Sequence, residues 1–353
     1  PLVVVDRTMT AGSNLHAAWA WRGGELVANQ RFSIERGVIT HVETAEPQPD
    51  DGRLGLALPG FHNAHSHAFQ WAMRGGTQHL VPGHVSDDFW AWRERMYQVA
   101  CRIDGDEAFQ VALACYRQMA RHGYTTVGEF HYIHRRPDGA FYDPADTLAR
   151  LHADAAREAG LRLVLIPVAY ERGGPGRPLA PNQARFNTVN AATFLRYAEH
   201  LRHALSGPGV SVVLGCHSVR ACPAVTLDEV ADEAERLGVP LHIHACEQRR
   251  ELRESLEEHG VEPIAALERL GFLGPRTTLV HATHLAEGDI ERLAASGTSV
   301  CACPTTERDL GDGFLQGRAL LAAGVNIGIG TDSQTAVAPR EELRLLEYPE
   351  RLR

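Results

Sequence analysis

The chain has 353 residues, 44% hydrophobic, 22% charged and 7% aromatic, a globular composition long enough for one large domain and a smaller one. A formal net charge of −9 leaves no basic stripe, so nucleic acid is excluded as an expected partner. All 35 basic residues are arginine, which rules out chemistries needing a lysine amine: a Schiff base, a Walker phosphate loop, or a carbamylated lysine bridging two metals.

The seven cysteines (Cys101, Cys115, Cys216, Cys222, Cys246, Cys301 and Cys303) are odd in number and form no CxxC pair. Free thiols in a reducing cytoplasm are the expectation. The longest apolar runs, such as Leu163–Ala169, fall far short of the ~20 residues that span a bilayer. Pro1–Asp6 lacks the charged, apolar, small order of a secretory signal. A soluble cytoplasmic protein with no membrane partner is therefore expected.

Residues 1–55 read as short β segments, including Leu2–Asp6, Arg31–Glu35 and Val38–Val42, with turns at Gly23-Gly24, Gly37 and Asp51-Gly52. This small β-sandwich portion is too short to close a core alone, and partner strands lying outside the chain are expected to complete it. From residue 56 to 353 the texture changes to apolar strands alternating with amphipathic helices. The strands are expected at Leu56–Asn63, Thr125–His131, Arg162–Ala169, Val210–His217, Val239–His244, Thr277–His281, Ser299–Ala302 and Val325–Gly330. Helices are expected at Asp106–His122, Thr147–Gly160, Ala191–Leu205, Leu227–Leu237, Glu287–Ala295 and Gln316–Ala323, several stopping at glycine. Eight such units predict an α/β fold, a TIM-like (β/α)8 barrel; a doubly wound open sheet is the alternative on periodicity alone. No strand runs into GxGxxG, and polar residues gather at strand C-termini, where barrel enzymes place their sites. Glu171–Asn187, rich in Gly and Pro, is read as a long loop able to act as a lid.

The chemistry-bearing residues sit at those strand ends. In His65-Ser66-His67 the two imidazoles lie two residues apart and face one way. His244, His281 and Asp332 end three further strands, and in a closed barrel these tips surround one point. Neutral imidazoles and a carboxylate with room for water suit one catalytic divalent ion, Zn²⁺ or a similar ion such as Fe²⁺. Glu247, three residues past His244, reads either as an acid/base beside an activated water or as a carboxylate favoured by a helix dipole. His281 reads as a ligand or as a group orienting the water. HExxH, GxSxG and the PCxxC zinc motif of cytidine deaminases are absent. His242, facing inward with His244 by strand parity, is read as an imidazole of the core or one backing the ligands, and His131 and His284 as the other histidines nearest the site.

The stretch Pro59-Gly60-Phe61-His62-Asn63-Ala64-His65-Ser66-His67, with His244-Ala245-Cys246-Glu247, His281 and Thr331-Asp332-Ser333, resembles the mononuclear amidohydrolase superfamily. Three narrower stretches resemble its formimidoylglutamate deiminase family: His65–Gln70, Phe89-Trp90-Ala91-Trp92-Arg93 with Met96-Tyr97, and Cys303–Gly313. The resemblance implies Zn²⁺ on His65, His67, His244 and Asp332, Glu247 as proton shuttle and His281 holding the attacking water. It implies that Gln70, Arg93, Tyr132, His217 and Arg220 bind a small substrate carrying carboxylates, and it implies a homodimer. The implied reaction is hydrolytic deimination of N-formimino-L-glutamate in histidine degradation. Two arginines suit two carboxylates, whereas a nucleobase would call for stacking rings and amide readers. The rivals are a sister deaminase acting on a nucleobase or adenosine derivative, and a metal-free barrel that binds without turnover.

Overall fold

The computed structural model describes residues 13–79 and 89–352. The segment Leu2–Asp6 and His84 lie outside the described residues. The chain divides into two compact units between Phe61 and His62.

The described part of the first unit is one four-stranded sheet, ordered β3-β2-β1-β4, built from β1 (Ser13–Arg22), β2 (Glu25–Glu35), β3 (Val38–Thr44) and β4 (Gly52–Ala57). Both hairpin turns need left-handed backbone. Gly23 (φ 57°) and Gly24 (φ 89°) supply it between β1 and β2, and Arg36 (φ 51°) with Gly37 (φ 77°) between β2 and β3. Arg31 holds both oxygens of Asp51 at 3.1 and 3.0 Å, tying the turn before β4 back to β2. Trp19, Trp21, Leu26, Val38 and Ile39 are exposed on this sheet.

The second unit is a parallel barrel with helices between its strands. Its strands are β5 (Phe61–Ser66), β6 (Tyr124–His131), β7 (Arg162–Ala169), β8 (Val210–Val212), β9 (Leu214–Cys216), β10 (Leu241–Ala245), β11 (Thr277–His281), β12 (Ser299–Ala302) and β13 (Ile327–Ile329). They pair in the order β5-β6-β7-β9-β10-β11-β12-β13, with β8 also on β7. The eight-strand expectation holds, with two local differences. The stretch 56–63 is no single strand: Leu56 belongs to β4, and Pro59-Gly60 separates it from β5, because proline lacks the ladder N–H. The stretch 210–217 breaks at Val213 into β8 and β9.

Strands such as β7 and β10 are buried along nearly their whole length, which is why they read as continuous apolar runs. Helices cover the outside with one apolar face each. Thr147–Ala159 buries Leu148, Ala149, Ala153, Ala155 and Ala156 and ends at left-handed Gly160. Gly105–Arg121 starts on Asp104, whose carboxylate accepts from Gly105 N at 2.8 Å while Glu107 reaches back to Asp104 N.

The barrel closes through its first and last strands. Asp332 bridges Ser66, His67 N donates to Asp332 O at 3.2 Å, and the N–H groups of Thr331 and Asp332 donate to His65 O at 3.0 and 3.1 Å. Gly330 permits that approach, since a Cβ there would stand 2.8 Å from His65 Cβ and 2.9 Å from His65 O. No helix among the described residues is long and apolar enough to cross a membrane. The loop 171–187 is not a free flap. Its Pro181–Phe186 stretch forms a 3₁₀ turn in which Gln183 donates to the hydroxyls of Tyr97 (3.0 Å) and Tyr170 (2.8 Å).

Candidate active site

Strand ends β5, β10 and β13 bring His65, His67, His244 and Asp332 together, with one ligand atom from each lying within 4.8 Å of all the others. His65 Nε2 is 3.1 Å from His67 Nε2 and 3.1 Å from His244 Nε2, and Asp332 Oδ1 is 3.3 and 3.2 Å from the nitrogens of His65 and His67. The outer nitrogens are already engaged, His67 Nδ1 with Phe130 O and His244 Nδ1 with His217 O, both at 3.0 Å. Donation from Nδ1 leaves the Nε2 lone pairs of His67 and His244 directed at His65 Nε2, whose own Nδ1 is buried without a partner. Three imidazole nitrogens and a carboxylate oxygen packed this closely fit a single divalent metal.

Burial shapes the charges. It pushes the His65 imidazole down to about 3, and that of His244 well below its ordinary value, so both are neutral donors. Burial alone would raise Asp332, yet hydrogen bonds with His65 and His67 hold it well below the carboxylate range. His281, on β11, opposes the trend. Burial would lower it, but Glu247, Glu307 and Asp332 raise it well above the ordinary imidazole value. Its Nε2 lies 3.7 Å from Glu247 Oε1 and 3.9 Å from Asp332 Oδ2, and its Nδ1 lies 3.3 Å from Glu307 Oε1. Burial raises Glu247 above its usual range, with His281 pulling the other way. Cys246 (φ 57°), His281 (φ 75°), Ala282 (φ 51°) and Asp332 (φ 44°) all take left-handed backbone. This strain is concentrated where strands hand side chains to the site.

Above the donors lies a cleft lined by His67, His244, Asp332, Glu247 and His281 and also by Gln70, Arg93, Tyr132, His217 and Arg220. Gln70 donates to Tyr132 Oη at 3.1 Å and leaves its own Oε1 buried without a partner. Burial, then the Arg220 charge, keeps His217 neutral. Arg220 is 8% exposed with Nη1 unpartnered, and Arg93 has a buried Nε without a partner. Among the described residues neither guanidinium makes a close ion pair, and Glu251 and Glu247 are the carboxylates whose charges reach Arg220. Arg93 lies over the rings of Trp90 (4.5 Å) and Tyr97 (5.6 Å).

Some expectations differ. Neither His131 nor His284 lines the cleft; His131 is buried against His134 and His152, with ring centroids 5.3 and 5.1 Å apart. His242 is buried and also away from the cleft, as read. Sequence reasoning gave no site role to Phe89, Trp92, Tyr170, Phe186 and Leu310, which form the apolar wall. Glu307 and Arg172 were also missed, although Glu307 lies inside a stretch quoted for its resemblance.

The sequence model of the Amidohydrolase family matches residues 56–350. The formimidoylglutamate deiminase of Pseudomonas aeruginosa is 39% identical over 331 residues, 92% of this chain and 72% of the relative. The 5-methylthioadenosine/S-adenosylhomocysteine deaminase 2 of Archaeoglobus fulgidus is 31% identical, over 88% of this chain and 69% of its own length. Among solved structures, an amidohydrolase from Brucella melitensis superposes with a TM-score of 0.91 at 36% identity, covering 96% of this chain and 75% of that one. Barrel, convergent donors and a family match running the length of the barrel agree, and this chain belongs to the amidohydrolase family.

Proposed function

We propose that this amidohydrolase hydrolyses the formimino carbon of N-formimino-L-glutamate, releasing ammonia and leaving N-formyl-L-glutamate. The observation that carries the reading is the pair Arg93 and Arg220, two guanidiniums lining the cleft that holds the donor cluster, each with a buried N–H group that has no partner. Two like charges brought close in a buried site call for an anionic ligand, and a substrate with two carboxylates supplies one for each fork. The name of the relative at 39% identity supports the same substrate. The seven cysteines, all free thiols, support a cytoplasmic setting.

His65, His67, His244 and Asp332 would hold the metal, with Zn²⁺ the ion that three imidazoles and a carboxylate suit best. When bound, such an ion supplies Lewis acidity and a water acidified to a pKa of about 7. Glu247, which burial raises above its usual range, would take a proton from the attacking water and deliver one to the departing nitrogen. His281, which Glu247, Glu307 and Asp332 raise well above the ordinary imidazole value, would donate from Nε2 toward the attacking oxygen. Gln70 Oε1 is a free acceptor for the substrate N–H, with Tyr132 fixing the amide. Tyr132, Tyr170 and Phe186 limit water around the reacting carbon.

Ammonia release measured on N-formimino-L-glutamate beside a panel of nucleobases and adenosine derivatives tests the proposal. Turnover confined to the acidic substrate, with KM raised for Arg93→Met and Arg220→Met, is expected. Preference for a purine would overturn it.

A further inference from the structure

We infer that His281, Cys303 and Asp332 form a second, inhibitory site for a soft divalent cation such as Zn²⁺ or Cd²⁺, beside the cradle of His65, His67, His244 and Asp332. The three ligand atoms lie within 4.8 Å of one another, and all three residues are buried. Asp332 divides its oxygens between the two groups. Oδ1 faces His65 and His67 at 3.3 and 3.2 Å, while Oδ2 faces His281 Nε2 at 3.9 Å. Glu307 engages His281 Nδ1 at 3.3 Å, leaving Nε2 as the nitrogen available to a ligand. Cys303 has no part in the proton transfers above, and its thiol is the one soft donor in the constellation. Thiolate with imidazole selects Zn²⁺ or Cd²⁺ over Mg²⁺ or Ca²⁺.

On binding, the Cys303 sulfur–metal bond forms and the nitrogen–metal bond forms at His281 Nε2, while two protons, one from the thiol and one from His281 Nε2, pass to solvent. His281 can then no longer donate from Nε2, and a fixed positive charge stands beside Glu247, whose Oε1 is 3.7 Å from that nitrogen. Metal beyond the first equivalent therefore slows turnover. This consequence rests on the function proposed above; occupancy of the site does not.

The test titrates the holoenzyme, loaded with one equivalent of Zn²⁺, with Cd²⁺, following metal content, near-ultraviolet absorption and ammonia release together. A second equivalent accompanied by a thiolate-to-metal charge-transfer band, with falling turnover, is expected. Cys303→Ser and Cys303→Ala should keep the first equivalent and basal activity, lose the band, and bind the second equivalent at least about 10–100-fold more weakly. No second equivalent, a band surviving in both variants, or undiminished inhibition in both would overturn the inference. If N-formimino-L-glutamate proves not to be a substrate, stoichiometry and the band still decide whether the site exists.

Discussion

Arg172 Nε lies 3.0 Å from the carbonyl of Arg220, and the same guanidinium reaches the carbonyls of Val219 at 2.8 Å and Cys222 at 3.2 Å. Glu258 holds it from the other side with contacts of 2.6 and 2.7 Å. One fork thus fixes the turn that carries a cleft arginine. Arg172→Met should cut kcat/KM about 10–100-fold, mostly through KM, since charge-assisted bonds are worth roughly 1.5–3 kcal/mol each. In an Arg220→Met background it should add almost nothing. Steady-state kinetics of the two single variants and the double variant check this, and additive losses would mean that Arg172 acts on folding instead.

Glu247→Gln keeps the shape of the side chain and removes its basicity. Ammonia release should fall by about 10²–10⁴, the usual worth of a positioned proton carrier, with metal content unchanged. Turnover near the parent rate would take Glu247 out of the reaction.

Removing the metal should weaken the fold as well as the activity. Three imidazoles and a carboxylate left facing one another lose the ion that reconciles them, and an ion present at a thousand times its Kd stabilises by about 4 kcal/mol. Calorimetry before and after chelation should show a lower Tm, restored by Zn²⁺. An unchanged Tm would mean that the four donors hold no ion in the folded protein.

Glu342 gives a pH signature away from the cleft. It accepts from Thr305 N at 3.0 Å and Thr305 Oγ1 at 2.6 Å, and burial pushes it up to about 8, against those two bonds. The folded protein keeps this proton where the unfolded chain has lost it. Stability from this group is therefore complete below the ordinary carboxylate range and declines as pH rises toward about 8, by roughly 1.4 kcal/mol per pH unit crossed. Glu342→Gln should flatten that part of the stability curve, as denaturant melts at several pH values would show.

Barrel strands were legible because parallel strands buried on both faces read as apolar runs, and Arg162–Ala169, Thr277–His281 and Ser299–Ala302 fall where expected. The break at Val213 was hidden, since a ladder can be interrupted without changing side-chain polarity. Strand β1 was not picked out, because Ser13–Arg22 mixes alanine, histidine and tryptophan without clean alternation. The clustering of His65, His67, His244 and Asp332 was legible from strand-end position, and the cleft arginines from the resemblance. Supporting residues did not: Arg172 acts on backbone carbonyls, which carry no sequence signal, and Glu307 is one acidic residue in a short helix until His281 is found 3.3 Å away.

The seam joining β5 to the end of β13 also seats the cradle, because Asp332 both bridges Ser66 and stands among the four clustered donors. A chain on the ribosome cannot assemble the full donor set until its last barrel strand has emerged and found its first. If those donors hold the ion proposed above, its capture would follow closure of the barrel, since a chain with its last strand unpaired lacks the fourth donor.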